Sequence, residues 1–295
     1  MKTYDITFVG HMCWDEIVPH EGETRVAAGS AVLCGAMAAV RAGAKVAVLT
    51  RLAAADRAML APMESAGVDV TVTPVPETTW MRVIHPTADL DVRRMYQVHS
   101  AGPFRLGDVP ALSTRFVHLA GVTDQEFTLD LLRGLQGRGY SLSADMQSFV
   151  RQVHPSTREI AFADVPAKRA IAGLLDRIKL DVVEAKILTG HDDLEAAAAA
   201  VAEWGCREIM ITRADGVLVR VGDDTWFERF SNRNSSGRTG RGDTTFAAYM
   251  AWRLSHPPAE AVKFAAALVS MKMETPGPFA GTLEDVLRRM REQHA

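Results

Sequence analysis

The segment Ser236–Phe246 combines three glycines with a carboxylate and leads into an apolar, alanine-rich run. Gly240 and Gly242 permit backbone conformations that other residues avoid, and they let the chain approach a ligand closely. The run that follows predicts a helix starting near Asp243 or Thr244. Free amides and the positive end of the helix dipole would then meet at the glycines, which favours phosphate or a developing anion. Asp243 is the one ionisable acceptor there, so it could take a proton from a hydroxyl group during phosphoryl transfer.

The same residues also have a structural interpretation. Asp or Thr before an alanine-rich helix is commonly a cap, and a short glycine-rich string is a weak motif when it stands alone. Two cations, Arg238 and Arg241, flank the glycines. They could strengthen anion binding or project into solvent.

Composition limits the classes of protein that need consideration. The chain has 295 residues, 47% hydrophobic and 23% charged, with a net charge of −3, which predicts one globular α/β domain spanning residues 1–295. There is no basic surplus for nucleic acid or an acidic membrane surface. The cysteines are three, far apart and outside metal-ligand spacing. Because no signal peptide or run of about 20 apolar residues is present, we expect a cytoplasmic protein without a membrane partner.

Several apolar segments predict the strands of a parallel sheet. Ile6–Gly10 reads as the first strand, and Phe116–Gly121 and Tyr140–Asp145 as two further core strands. Ligands of parallel α/β sheets bind beyond the carboxyl ends of the strands. Asp15, shortly after the first strand, is therefore a candidate acceptor for substrate hydroxyls, with a solvated loop carboxylate as the alternative.

Period-two alternation marks a separate pair of strands. Thr79–Ile84 and Asp91–Val98 flank a proline-containing turn and predict a β-hairpin that stands off the core. Together with the segment after the first strand, this places lid strands at about 12–28 and 76–100. A lid would exclude water from phosphoryl transfer, whereas an ordinary hairpin would not move.

The glycine segment resembles the carboxy-terminal signature of ribokinase-like, or phosphofructokinase-B, carbohydrate kinases, Asp-Thr-x-Gly-Ala-Gly-Asp-x-Phe. The resemblance implies that Asp243 is the catalytic base and that the amides from Gly240 to Asp243, including Arg241 and Gly242, form an anion hole. Gly240, Gly242 and Asp243 match the motif in register, Thr239 and Phe246 each stand one position later than the motif's Thr and Phe, and the departures are Arg238 and Arg241.

A second segment is similar to the amino-terminal signature of the same family, Gly-Gly-x-x-x-Asn-x-Ala…Leu-Gly. Gly29 and Gly43 are retained, whereas Leu33 replaces the asparagine that reaches substrate hydroxyls. The resemblance implies a substrate site formed by Asp15, Gly29, Ser30 and the position of Leu33. An apolar side chain there favours a substrate with fewer hydroxyls on that side, or a different ring.

A third group of polar residues follows the strand ending at Asp145. Asp145, Gln147 and Arg151 place an acid, an amide and a guanidinium past a strand end, where they could bind a polyol or phosphate. The stretch resembles Asp-x-Gln-Gly-Phe-x-Arg of the inositol-kinase branch, with Ser148 in place of the glycine. This suggests a cyclitol substrate, while structural capping by Asp145 is the alternative.

Two further segments resemble the family's nucleotide site. Asp181 and Glu184 occupy the positions of an Asn-x-x-Glu motif, which implies that they organise Mg²⁺ around the donor phosphates, with Glu184 as the metal ligand. A strand, a turn and a second strand follow within Glu208–Val219, and Met271 lies in a helix where the family places adenine. The implied nucleotide contacts are Asp181, Glu184, Thr212, Arg213, Asp215, Gly216, Thr239 and Met271.

The resemblance implies a ribokinase-like three-layer α/β/α core with a mostly parallel sheet and a small β-sheet lid. We expect a kinase that uses ATP and Mg²⁺ to phosphorylate a hydroxyl of a small sugar or cyclitol, with a possible homodimer through the lid. One alternative is a nucleoside kinase in which Leu33 and Trp14 pack on a base. Another is a non-catalytic small-molecule sensor, since several signature residues are replaced. Neither a P-loop nor a zinc-hydrolase motif is present.

Overall fold

The computed structural model describes residues 2–89 and 92–294 of the chain. The strands are β1 Thr3–Val9, β2 Cys13–Val18, β3 Arg25–Gly29, β4 Val46–Leu52, β5 Asp69–Pro74, β6 Thr79–Ile84, β7 Arg94–His99, β8 Ser113–Leu119, β9 Leu142–Asp145, β10 Arg151–Val153, β11 Ile160–Phe162, β12 Arg177–Asp181, β13 Glu208–Thr212, β14 Gly216–Val221 and β15 Asp224–Arg229. The helices are α1 Ala31–Arg41, α2 Ala61–Ser65, α3 Leu129–Gly137, α4 Gln147–Val150, α5 Lys168–Ala172, α6 Val182–Thr189, α7 Leu194–Ala202, α8 Arg241–Trp252, α9 Pro258–Met273 and α10 Leu283–Gln293. No helix in these ranges is both long enough and apolar enough to cross a lipid bilayer.

The main sheet has nine strands in the order β15-β14-β13-β12-β9-β8-β1-β4-β5. Its strands from β13 to β5 are parallel, and β14 and β15 extend it in antiparallel fashion. The predicted core strands and the strand pair at 208–221 are thereby confirmed. All the carboxyl ends of the parallel strands lie at one edge of the sheet.

Helices cover both faces of this sheet. Ile6 and Phe8 of β1 pack with α1, α8 and α9 in one apolar cluster. Val9 packs with α3, α6 and α7 in a second cluster. Neighbouring side chains of a strand point to opposite faces of the sheet. The side chains of β1 therefore belong to two different clusters because the strand is buried on both faces. This arrangement is the three-layer α/β/α core expected from the sequence.

A second sheet of four strands, in the order β3-β2-β6-β7, forms the predicted lid. The hairpin is confirmed as the antiparallel pair β6 and β7. Its second strand begins at Arg94, later than predicted, and Asp91 lies outside the described residues. The outer strand β3 exposes Val26, and the homodimer through the lid stays a prediction.

The lid is joined to the core immediately after β1. A Cβ atom on Gly10 would lie 2.2 Å from the carbonyl oxygen of Ala120, so the chain leaves the core where only glycine fits. The buried His11 contacts the Gly102 carbonyl through Nε2 at 2.8 Å and the Thr79 hydroxyl through Nδ1 at 2.9 Å. These contacts fix the start of β2 and thereby the position of Asp15.

Candidate active site

The turn at residues 240–243, here called the glycine turn, lies at the amino end of α8. Gly240 is the N-cap residue in the left-handed conformation, with φ 76°, so α8 begins at Arg241. The prediction of a start near Asp243 or Thr244 was therefore too late, because Gly240 ends the preceding turn. The Arg241 amide donates to the Arg238 carbonyl at 3.1 Å. Across residues 2–89 and 92–294, the amides of Gly240, Gly242 and Asp243 have no acceptor, which leaves them available for an anion.

Asp243 lies in the first turn of α8 and is half-buried. Gln147 Nε2 donates to Asp243 Oδ1 at 3.4 Å and to the Gly121 carbonyl at 2.8 Å. The structure thus brings the predicted base together with one of the predicted substrate residues. Gln147 holds one carboxylate oxygen of Asp243 and so orients this side chain.

Lys179 lies beneath the glycine turn, and the sequence analysis did not select it. A Cβ atom on Gly242 would lie 2.7 Å from Lys179 Nζ, so a side chain at this position would displace the ammonium group. Lys179 is buried in β12, and its Nζ lies 2.8 Å from Asp145 Oδ2 and 3.9 Å from Glu184 Oε2. Burial by itself lowers the pKa of Lys179, but Asp145 and Glu184 reverse that effect and raise it. The lysine is therefore charged.

The carboxylates of Asp181 and Glu184 form a capping box at the start of α6. Asp181 Oδ1 accepts from the amides of Val183 and Glu184, and Glu184 Oε2 accepts from the Asp181 amide at 2.8 Å. This is the helix-capping role that such residues commonly have. Glu184 Oε1 is nevertheless buried without a hydrogen-bond partner, and burial raises the pKa of this carboxyl to about 8.

Asp15 stands on β2 of the lid, where its carboxylate covers Gly29 of β3. A Cβ atom on Gly29 would lie 1.9 Å from Asp15 Oδ2, so Gly29 makes room for the carboxylate. Burial raises the pKa of Asp15 to about 6, the Cys13 thiol opposes this, and the charge of Asp243 adds to it. Asp15 and Asp243 therefore face the same space between lid and core.

Ser30 and Leu33 have structural roles at the start of α1. The Ser30 hydroxyl accepts from the Leu33 amide at 2.9 Å and caps the helix. The Leu33 side chain is buried in the apolar cluster below the lid. Their predicted substrate contacts stay predictions.

Arg151, at the start of β10, points a cation toward the same space. Its Nε is buried without a hydrogen-bond partner in the structure, and its guanidinium carbon lies 5.7 Å from the ring centroid of Phe162. Burial raises the pKa of both Asp15 and Glu184, and the Arg151 charge opposes the rise at each. Arg151 therefore acts on both the lid carboxylate and the carboxylate of α6.

The residues expected at a nucleotide lie in two regions, the turn between β13 and β14 and a cavity beside α9. Thr212 is buried at the end of β13, whereas Arg213 and Asp215 pair with each other, with 3.0 Å between Arg213 Nη2 and Asp215 Oδ2. Gly216 starts β14, where a Cβ atom would collide with the Phe227 ring at 2.5 Å. Met271 lines a cavity of about 250 Å³ whose other lining residues are Arg233, Asp285, Arg288, Arg289 and Glu292. Met271 thus packs against the apolar cluster and borders a cavity that is otherwise lined by charged and polar side chains.

Comparison with known proteins agrees with this geometry. The pfkB family carbohydrate kinase model matches residues 3–284. A solved structure described as a sulfate complex of a pyrophosphate-dependent kinase in the ribokinase family superposes with a TM-score of 0.88 at 33% identity, over 96% of this chain and 99% of that chain. Another, of a pyrophosphate-dependent kinase in that family with a pyrophosphate analog and myo-inositol, has a TM-score of 0.87 at 30% identity, over 96% and 99%.

A curated relative is more distant. The cytidine kinase of Thermococcus kodakarensis is 23% identical over 228 residues, which cover 74% of this chain and 76% of that protein. The two sheets and the helices on both faces are those of the ribokinase fold. The chain therefore belongs to the pfkB family of carbohydrate kinases, phosphotransferases that act on hydroxyl acceptors.

Proposed function

We propose that this kinase transfers a phosphoryl group from inorganic pyrophosphate to a hydroxyl group of a cyclitol such as myo-inositol. The observation that carries the proposal is the convergence of unpaired amides and the charged Lys179 at the glycine turn, beside Asp243. Amides and an ammonium group suit a transferring phosphoryl group, and the carboxylate suits the proton of the attacking hydroxyl.

The acceptor side of the site fits a ring with several hydroxyls. Asp15 on the lid and Asp243 on the core offer carboxylate oxygens, and Arg151 offers an unpaired guanidinium nitrogen. Hydroxyls donate to carboxylates and accept from guanidinium groups. The solved relative that contains myo-inositol, at 30% identity, supports a cyclitol as the acceptor.

The donor side favours a small anion over a nucleotide. Pyrophosphate carries its charge without a base or ribose, and Lys179 lies beneath the glycine turn, where that charge would bind. Arg241 lies on the turn and Arg238 shortly before it. Arg213 and Asp215, expected beside a nucleotide, neutralise each other, and the cavity beside Met271 is lined mainly by charged side chains. The two solved relatives at 30% and 33% identity are both described as pyrophosphate-dependent. ATP, which the sequence analysis expected, is the competing donor.

A divalent cation fits one open position of the site. Glu184 Oε1 is a buried carboxylate oxygen without a partner, and Mg²⁺ is commonly held by one or two carboxylates together with donor phosphates. Glu184 would hold the ion, with Asp181 beside it. When bound, Mg²⁺ would neutralise charge on the donor. In residues 2–89 and 92–294, no cluster of three or more metal-binding side chains exists, so donor oxygens must supply most of the ligands.

The proposed reaction needs one proton transfer within the protein. Gln147 holds one carboxylate oxygen of Asp243. The other carboxylate oxygen accepts the proton of the acceptor hydroxyl while the hydroxyl oxygen bonds to phosphorus. The bond from that phosphorus to the bridging oxygen of pyrophosphate breaks, and phosphate leaves. The amides of Gly242 and Asp243 stabilise the charge on the transferring group.

A nucleoside acceptor is the second candidate because of the cytidine kinase relative. The positions of two apolar side chains, Trp14 and Leu33, favour the cyclitol. Trp14 and Asp15 are neighbours on β2 and point to opposite faces of the lid sheet. Leu33 is buried in the core, so neither apolar side chain is placed to stack on a base in the space that Asp15 faces.

The test crosses two donors, pyrophosphate and ATP, with three acceptors, myo-inositol, ribose and cytidine, in the presence of Mg²⁺. Phosphorus NMR of the products identifies the phosphate ester and the spent donor. We expect an inositol monophosphate from pyrophosphate. Turnover with ATP but not with pyrophosphate would refute the proposed donor. Turnover with cytidine but not with myo-inositol would refute the proposed acceptor. No ester from any pair would refute the proposed kinase reaction.

Acceptor binding should depend on pH through Asp15. Its pKa is raised to about 6, so the carboxylate is ionised above that pH and protonated below it. Because the ionised form accepts hydroxyl hydrogen bonds, we expect the acceptor KM to rise as pH falls below 6. Asp15→Asn should raise the KM by about tenfold or more, the value of a hydrogen bond to a charged group, and remove this dependence. An unchanged KM profile in the variant would show that Asp15 does not bind the acceptor.

A further inference from the structure

Lys272 is a buried lysine close to the glycine turn. It lies in the last turn of α9, and only 2% of the residue is exposed. Lysines are rarely buried without a partner. In the part of the chain that the structure describes, no carboxylate lies within 4 Å of its ammonium group. The partners of Lys272 are instead backbone oxygens.

Lys272 Nζ donates to the carbonyl oxygens of Gly237 and Thr239. Both residues lie directly before the glycine turn. The same segment is pressed against the end of α9, since the Gly237 amide donates to the Met273 carbonyl at 2.8 Å. A Cβ atom on Gly237 would lie 2.0 Å from the Thr275 carbonyl oxygen. The end of α9 therefore supplies both a surface and a cation for this segment.

These contacts determine where an amide of the turn points. The peptide bonds of the described residues are trans, and in a planar trans peptide the C=O and the following N–H point in opposite directions. With the Thr239 carbonyl directed at Lys272, the Gly240 amide must point away from it. That amide is one of those without an acceptor in the described structure.

We propose that the Lys272 ammonium group is a built-in cation that orients the glycine turn for the phosphoryl donor, so that the enzyme needs no added monovalent cation at this position. The inference rests on the proposed kinase function. Lys272 is a positioning residue, because it acts through the backbone of Gly237 and Thr239. Burial lowers the pKa of Lys272, whereas the charge of Asp243 opposes this shift and favours the ammonium form.

The first test uses the wild-type enzyme. At constant ionic strength, initial rates should be equal within about twofold in sodium, potassium, ammonium and tetramethylammonium chloride. If potassium or ammonium raised the rate many-fold over tetramethylammonium, the position would be open to solvent cations and the proposal would be refuted. This arm needs no variant and so does not depend on folding of a mutant.

The second test uses Lys272→Ala, which exposes the two carbonyls, and Lys272→Met, which keeps most of the side-chain volume. Both should lower kcat by about 10²-fold, the cost of losing one donor of an anion hole, with little change in the acceptor KM. Ammonium or potassium should restore part of the rate to Lys272→Ala, whereas tetramethylammonium should not. The control is Lys263→Met on the same helix, which should keep its rate. A Lys272→Met enzyme with unchanged kcat would overturn the role.

Calorimetric titration with pyrophosphate separates this inference from the proposed function. Lys272→Met should bind pyrophosphate more weakly than the wild type, and myo-inositol equally well. If no donor gave turnover, the proposed function would fail, yet weakened pyrophosphate binding would still support Lys272 as the organiser of the turn. Equal pyrophosphate affinity of the two proteins would refute it.

Discussion

Asp243→Asn should lower kcat by about 10²- to 10⁴-fold, the range for loss of a general base. The asparagine amide cannot accept the proton of the acceptor hydroxyl. Because asparagine has the shape of aspartate, its oxygen can keep the hydrogen bond from Gln147 Nε2, which lies 3.4 Å from Asp243 Oδ1 in the wild-type protein. Donor and acceptor should still bind, because the free amides of the turn and the lid carboxylate are unchanged. Steady-state kinetics with calorimetric titration of each ligand measures the two effects separately.

The matched control for this prediction is Asp130→Asn on α3, whose carboxylate is exposed to solvent. Its kcat should stay within about twofold of the wild type, since exposed substitutions rarely alter the site. Turnover by Asp243→Asn at the wild-type rate would exclude Asp243 as the base. Loss of ligand binding in the variant would instead indicate that Asp243 holds the site together.

Lys179→Met should affect both activity and stability. The substitution leaves Asp145 and Glu184 buried without their cation, which costs about 3–5 kcal/mol of folding free energy when one partner of a buried pair is removed. It also removes the positive charge beneath Gly242, so kcat/KM for the donor should fall by about 10²- to 10³-fold. Urea unfolding and steady-state kinetics measure these two losses.

A double variant separates the two roles of Lys179. Asp145→Asn combined with Lys179→Met removes both charges of the closest pair, so stability should recover in part while donor kcat/KM stays low. Lys186→Met on α6, where the lysine side chain is 60% exposed, should change neither quantity. If the double variant regained donor turnover, Lys179 would serve the fold alone and not the donor.

The fold could be predicted from sequence because local pattern and burial agree. Alternation of apolar residues located β6 and β7, and the glycines around the start of α8 located the turn. The beginning of α8 was predicted too late because Gly240, in a left-handed conformation, admits a first helical turn that includes Gly242. Propensity alone places weak helix formers outside a helix.

The candidate site was harder to predict, because its cations contact residues that are far from them in sequence. Lys179 stands between Ile178 and Leu180 in a short strand, where a lysine flanked by apolar residues was the only signal. Lys272 near the end of α9 has the sequence pattern of a residue that interacts with the helix dipole. Only the packing of α9 against the segment before Gly240 reveals that its partners are the carbonyls of Gly237 and Thr239.

The attachment of the glycine turn to α9 also bears on the order in which the protein assembles. The contact between Lys272 and Gly237 spans 35 residues of sequence, and Gly237 fits only against the finished end of that helix. Closing this loop has an entropic cost that local contacts of the turn do not offset. We therefore expect a nascent chain that ends before α9 to lack an ordered glycine turn. Competence for phosphoryl transfer should thus arise only after α9 docks against this segment.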